Sequence, residues 1–174
     1  RYNDKSVLEN HHCAHAFKLL LRPENNFLIN LPRKDFDYLR KLVIEMVLAT
    51  DLSCHFELIT HFKTLSAVCC QELWISETVL IRLSSEQSKV LMLKMALKCG
   101  DVGHAAKKLP LHLKWTERVV EEFFQQGDIE RKLGTPISPF MDRQKANVPK
   151  AQQGFIDFLV LPMFEAWSRF LSDT

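Results

Sequence analysis

The chain has 174 residues, 47% hydrophobic and 25% charged, which is ordinary for a soluble globular protein and enough for one domain with its own core. A net charge of +2, scattered along the chain, argues against a nucleic-acid binder, and no apolar run approaches the roughly 18 residues needed to span a bilayer. The cysteines, Cys13, Cys54, Cys69, Cys70 and Cys99, are odd in number and lack CxxC spacing, which favours a reducing, cytoplasmic setting; no charged-then-apolar leader opens the chain.

Few glycines and no strict alternation predict helices throughout. Ser6 with Glu9 three residues later forms a capping-box pattern and marks the first helix start. Within that helix His11 and His15 sit at i,i+4 with His12 adjacent, a spacing that can chelate zinc but here lacks further ligands, so packing is the reading adopted. Turn chemistry gathers at 22–26, and Pro32 opens a helix reaching Thr50. His55 and His61 belong to no recognisable motif. From 65 to 83 the chain is unusually apolar, through Leu73, Trp74, Ile75 and Val79 among others. That interval reads as an extra helix on the core, as an exposed patch for a partner or dimer contact, or as a sequence artefact. Ser84 or Ser85 precedes a helix ending at Gly100, Pro110 opens one through Gln126, and a loop follows at 134–148. Pro149 opens the last helix, which Pro162 should kink near Leu161, because it removes a backbone donor and crowds the preceding turn.

Two short segments carry the chemistry. Cys99-Gly100-Asp101-Val102-Gly103-His104 places a lone carboxylate after a glycine expected to end a helix, and Gln152 and Phe155 lie at i,i+3. A metal ligand and a purine clamp would look like this; so would a turn residue and a surface amide beside a core ring. Thr116, Val119, Val120 and Phe123 recur at helical spacing, as one apolar stripe that serves a core or a pocket wall.

Eight blocks set these segments in a wider pattern. They are Tyr2-Asn3-Asp4, Ser6 to His12, Val43 to Asp51, Cys99 to His104, Leu111 to Thr116, Glu121 to Asp128, Ile137 to Arg143, and Gln152 to Asp157. In this order they resemble the class I cyclic-nucleotide phosphodiesterases over nearly the whole chain. That family carries its metal-binding His pairs upstream of the Tyr-Asn-Asp block, whereas this chain begins at Arg1-Tyr2. The resemblance therefore implies an all-α, compact multi-helix bundle of the phosphodiesterase type, truncated on its N-terminal side. Residues 1–174 would be the C-terminal part of a catalytic domain, and would be inactive alone.

The resemblance further implies hydrolysis of the 3',5'-cyclic phosphate of cAMP, cGMP or both to the 5'-monophosphate, in cyclic-nucleotide signalling. Two divalent metal ions are implied, Zn2+ at a tight site and Mg2+ or Mn2+ at the second, with a hydroxide between them attacking phosphorus. Asp101 matches a metal ligand of the tight site. Glu9 and Thr50 match positions that hydrogen-bond the metal-bound hydroxide and waters. Glu9 could instead close the capping box, and Thr50 could be an ordinary helix-end residue. Val119 and Phe123 match a pocket wall, Phe155 the ring that sandwiches the purine, and Gln152 the amide that pairs with the base edge, with Phe140 and His104 also at substrate-binding positions. His104 resembles the calmodulin-stimulated, dual-specificity branch, and His112 resembles both that branch and the branch inhibited by cGMP, implying no strong base preference. The family's general-acid His lies upstream, so no catalytic residue is assigned within this chain. An inactive helical interaction domain and a different His/Asp metallohydrolase are the rival classes.

Overall fold

The computed structural model describes residues 2–71 and 85–173, and all regular structure among them is helical. The main helices are α1 (Val7–Leu20), α2 (Arg33–Leu48), α3 (His55–Gln71), α4 (Glu86–Asp101), α5 (Leu109–Leu133), α6 (Val148–Phe155) and α7 (Leu161–Asp173). Short 3-10 turns precede or link several of them, at Leu52–Cys54 and Gly103–Ala106 among others. The chain divides into two compact units, one containing Arg1–Asp101 with Ala166–Thr174 and the other Val102–Glu165.

In the first unit α1 packs on α2, and α4 packs on both α2 and α3. Cys13 and Phe17, one turn apart, are the buried face of α1; Phe17 meets Phe36 edge-on and lies under the Arg40 guanidinium. His55, Ile59, Phe62 and Ser66 form the inner stripe of α3, at the helical period. Phe62 stacks on Trp167 and tilts against Phe170. Tyr38 hydrogen-bonds Glu86, and Lys94 reaches Glu45 at 3.3 Å, so polar contacts close the outer edge between α2 and α4.

The second unit is organised on α5, which runs seven residues past the expected end at Gln126. Gly127 does not stop it, because that residue keeps helical backbone and is buried against the Met141 main chain. The stop comes at Gly134, whose φ of 69° is the left-handed cap, after Arg131 and Lys132 in the final turn. The following segment is tied back onto α5. Glu130 accepts from the Ser138 amide and hydroxyl, both at 2.7 Å, Arg131 meets Asp142, and Arg143 bonds Glu121 and Asp128 while covering Phe124.

Other boundaries differ from the sequence pattern for local reasons. Ser6 closes no capping box; its backbone is left-handed, at φ 41°, and its hydroxyl donates to Asp51 instead. Gly100 does not end α4, since the helix continues through Asp101. Ser85 does cap α4, accepting from the Ser88 amide. Asn147 caps α6, with Pro149 in its first turn. Ahead of Pro162 the helix widens into a π turn over Ile156–Val160, the expected interruption. Of the apolar interval at 65–83, residues 65–71 complete α3 and the remainder lies outside the described residues.

Candidate functional site

The base-side residues gather around Thr116 on α5. Thr116 is buried, and its hydroxyl donates to Gln152 Oε1 on α6 at 3.3 Å. With its one proton so directed, the same oxygen faces His112 Nε2 one turn earlier, at 3.5 Å. This polar string leaves the Gln152 amide nitrogen and the remaining oxygen lone pair for another partner. The His104 ring stacks on His112 at 5.7 Å with planes 5° apart, and on Phe155 at 6.0 Å with planes 14° apart. The 3-10 turn Gly103–Ala106 lies against α5 and presents His104 to this stack. The structure thus brings together His104, Gln152 and Phe155, and adds Thr116 and His112 as their polar supports.

At 100° per residue, His112, Val119 and Phe123 fall on one flank of Thr116, and Leu113, Glu117, Val120 and Phe124 fall on the other. Val119 is half-buried and Phe123 is 38% exposed, so this flank offers an apolar surface beside the ring stack. The opposite flank, with Val148 and Glu121, lines a groove of about 470 Å³ that contains none of the expected base-binding residues. Phe140 stands apart: it is 70% exposed, with left-handed backbone at φ 69°, at the tip of the segment tied to α5.

The residues expected around a cation lie in the first unit. Asp101 is the exposed last residue of α4. Glu9 is half-buried on α1, and the Thr50 hydroxyl donates to the Val47 carbonyl at 2.7 Å, the bond of an ordinary helix end. Among the described residues no three His, Cys, Asp or Glu side chains converge to hold a metal; His11 and His15 stack on each other at 5.8 Å. A divalent cation fits Asp101 as one hard oxygen ligand, because no ion pair engages that carboxylate among the described residues, and further donors would have to complete the site.

Beside Asp101 lies a cluster with no signature in the sequence pattern. Lys98 is 3% exposed, and its ammonium donates to the Ala49 carbonyl at 3.0 Å. Burial lowers its pKa, an effect that the neighbouring Cys54, Asp101 and Asp51 oppose. Burial raises the pKa of the Cys54 and Cys99 thiols. Asp51 is held below the usual carboxylate range, first by the Ser53 amide and then by the Ser6 hydroxyl.

The comparisons with known proteins agree with one another. The sequence model described as 3'5'-cyclic nucleotide phosphodiesterase matches residues 1–174. The 3',5'-cyclic-AMP phosphodiesterase 4C of Rattus norvegicus is 42% identical over 167 residues, covering 96% of this chain and 30% of the relative. The cGMP-inhibited 3',5'-cyclic phosphodiesterase 3A of Homo sapiens is 43% identical over 167 residues, covering 95% of this chain and 14% of the relative. The chain therefore spans less than a third of the length of these curated relatives. Among solved structures, the phosphodiesterase domain of a RhoPDE fusion protein from the choanoflagellate Salpingoeca rosetta superposes with a TM-score of 0.84 at 27% identity, over 99% of this chain and 52% of that one.

Proposed function

The chain belongs to the 3'5'-cyclic nucleotide phosphodiesterase family, and on that premise we propose that it forms the C-terminal, base-binding part of a catalytic domain. The reaction is hydrolysis of a 3',5'-cyclic nucleotide to its 5'-monophosphate: water adds to phosphorus, the bond to the 3'-oxygen breaks, and that oxygen leaves as a hydroxyl. The observation that carries this reading is the stack of His104 on Phe155 beside a Gln152 amide fixed by Thr116. A purine offers a flat face and a hydrogen-bonding edge, and this arrangement meets both. An aromatic ring stacks on any base, and an oriented amide favours a base whose edge complements it.

His104 stands where the resemblance points to the dual-specificity branch, so the pocket is read as accepting both cAMP and cGMP, with the Gln152 amide setting whatever difference there is between them. Asp101 would contribute one carboxylate to a two-metal centre, with Glu9 and Thr50 near the bound waters. Divalent cations bound there neutralise charge on the phosphate oxygens and make a hydroxide available at neutral pH. Free thiols at Cys13, Cys54 and Cys99 suit a reducing compartment, and among the described residues no helix is long and apolar enough to cross a membrane. These properties fit a cytoplasmic role in cyclic-nucleotide signalling.

The test is product analysis with the intact protein that carries these residues. It should convert cAMP and cGMP to 5'-monophosphates, and Asp101→Asn, which keeps shape and removes charge, should lower kcat/KM by about a hundredfold or more while folding is retained. Activity and metal content near wild type in that variant would overturn the assignment of Asp101.

A further inference from the structure

Lys98 is a buried charge that the base pocket does not use and that no sequence motif singles out. Taking an ammonium out of water is costly unless it is paired or hydrogen-bonded, so a lysine kept in this position has a reason to be there. Its partner is the Ala49 carbonyl, at the C-terminal end of α2, where a backbone oxygen past the last turn of the helix and the negative end of the helix dipole both favour a cation. Cys54 Sγ approaches the same oxygen at 3.6 Å and donates to the Asp51 carbonyl at 3.0 Å. The Asp51 carboxylate accepts from the Ser53 amide at 2.8 Å and from the Ser6 hydroxyl at 2.7 Å.

The turn 49–51 is therefore a tie point for three helices. Lys98 anchors α4 to it, Ser6 anchors α1 to it, and α2 ends in it. Each residue expected around a cation lies within one helical turn of a tie: Glu9 three residues after Ser6, Thr50 between Ala49 and Asp51, and Asp101 three residues after Lys98. We propose that Lys98 is a positioning residue that holds the Asp101 end of α4 against the Thr50 turn, with Ser6 doing the same for the Glu9 end of α1. This rests on the reading of Asp101 as a metal ligand. Lys98 touches neither cation nor substrate; it acts through the backbone of the turn.

Two readouts on the intact protein test the idea. The first is the alkylation rate constant of the Cys54 thiolate, whose sulfur bonds to the turn itself, taken from a pH series because the Lys98 ammonium lowers this thiol's pKa and its loss must not enter the comparison. Lys98→Met, which keeps the stem and removes the donor, should raise that rate about tenfold relative to Cys13, and Ser6→Ala, a change too small to unfold the chain, should raise it in the same direction. The second is metal affinity, expected to fall by about ten- to a hundredfold in Lys98→Met. The loss should appear in kcat at unchanged KM and be restored by excess divalent cation, a rescue that general destabilisation would not give. Unchanged Cys54 reactivity in both variants overturns the proposal, as does full metal affinity in Lys98→Met when Asp101→Asn has lost its metal. If Asp101→Asn keeps its metal, the functional reading itself fails, and the thiol rate still decides whether Lys98 holds the turn.

Discussion

The Asp51 carboxylate accepts two hydrogen bonds that each favour its charged form, and their consequence has a definite sign with pH. A carboxyl whose folded pKa lies below its unfolded value contributes stability above the unfolded value and loses it as pH falls through the folded one. Ser6→Ala removes one of the two bonds. It should cost about 0.5–1.5 kcal/mol near neutral pH, and the cost should vanish in acid below the Asp51 titration. Urea unfolding of wild type and variant from pH 7 to pH 2 measures this; a cost independent of pH would show that Ser6 acts through something other than Asp51. The sequence pattern pairs Ser6 with Glu9 because their spacing is local. The real partner is 45 residues away, and no local rule reaches it. Lys98 was equally illegible, since a lysine in the last turn of a helix is ordinarily a solvated one.

Helix α5 shows how one element can mislead and then account for itself. Gly127 sits where a helix could end, and its real reason is steric: a methyl group there would collide with the Met141 backbone carbonyl. Gly127→Ala therefore sets a gain in helix propensity, about 1 kcal/mol, against a clash with main chain that cannot swing aside. The clash should win, with a net loss of about 1–3 kcal/mol read as a lower urea midpoint, because overpacking against backbone forces the loop off the helix. A stabilised variant would mean that the segment around Met141 is not docked as described. The blocks from Glu121 to Asp128 and from Ile137 to Arg143 are legible in the sequence as separate motifs, and the structure joins them through Arg143. Their acidic and basic members thus serve each other, while Phe140, within the second block, is exposed.

Across the whole molecule, the residues expected at a cation and those expected at a base belong to different units. Glu9, Thr50 and Asp101 fall in one; His104, Val119, Phe123, Phe140, Gln152 and Phe155 fall in the other. The helical class follows from few glycines and no strict alternation, and the starts of α2, α4, α5 and α6 follow from proline and serine at the termini, because those signals are local. Gathering His104, Gln152 and Phe155 depends on α5 and α6 meeting at Thr116, which the stripe from Thr116 to Phe123 suggests only as an apolar face. Thr116 itself reads as a minor member of that stripe and proves to be the hinge of its polar contacts. The His112 and Thr116 spacing of i,i+4 was the signal that could have revealed it.

The central claim is that Phe155 stacks on a purine while Gln152 reads its edge, and one comparison of kcat/KM for cAMP and cGMP in the intact protein tests it. Phe155→Ala should weaken both substrates alike, by about 1–3 kcal/mol, with bound metal unchanged, because stacking tolerates either base. Gln152→Ala, measured beside it, should affect the two substrates unequally wherever the amide favours one edge. A Phe155→Ala variant that leaves both substrates untouched, or changes their ratio strongly, would contradict the account and leave Phe155 a packing residue.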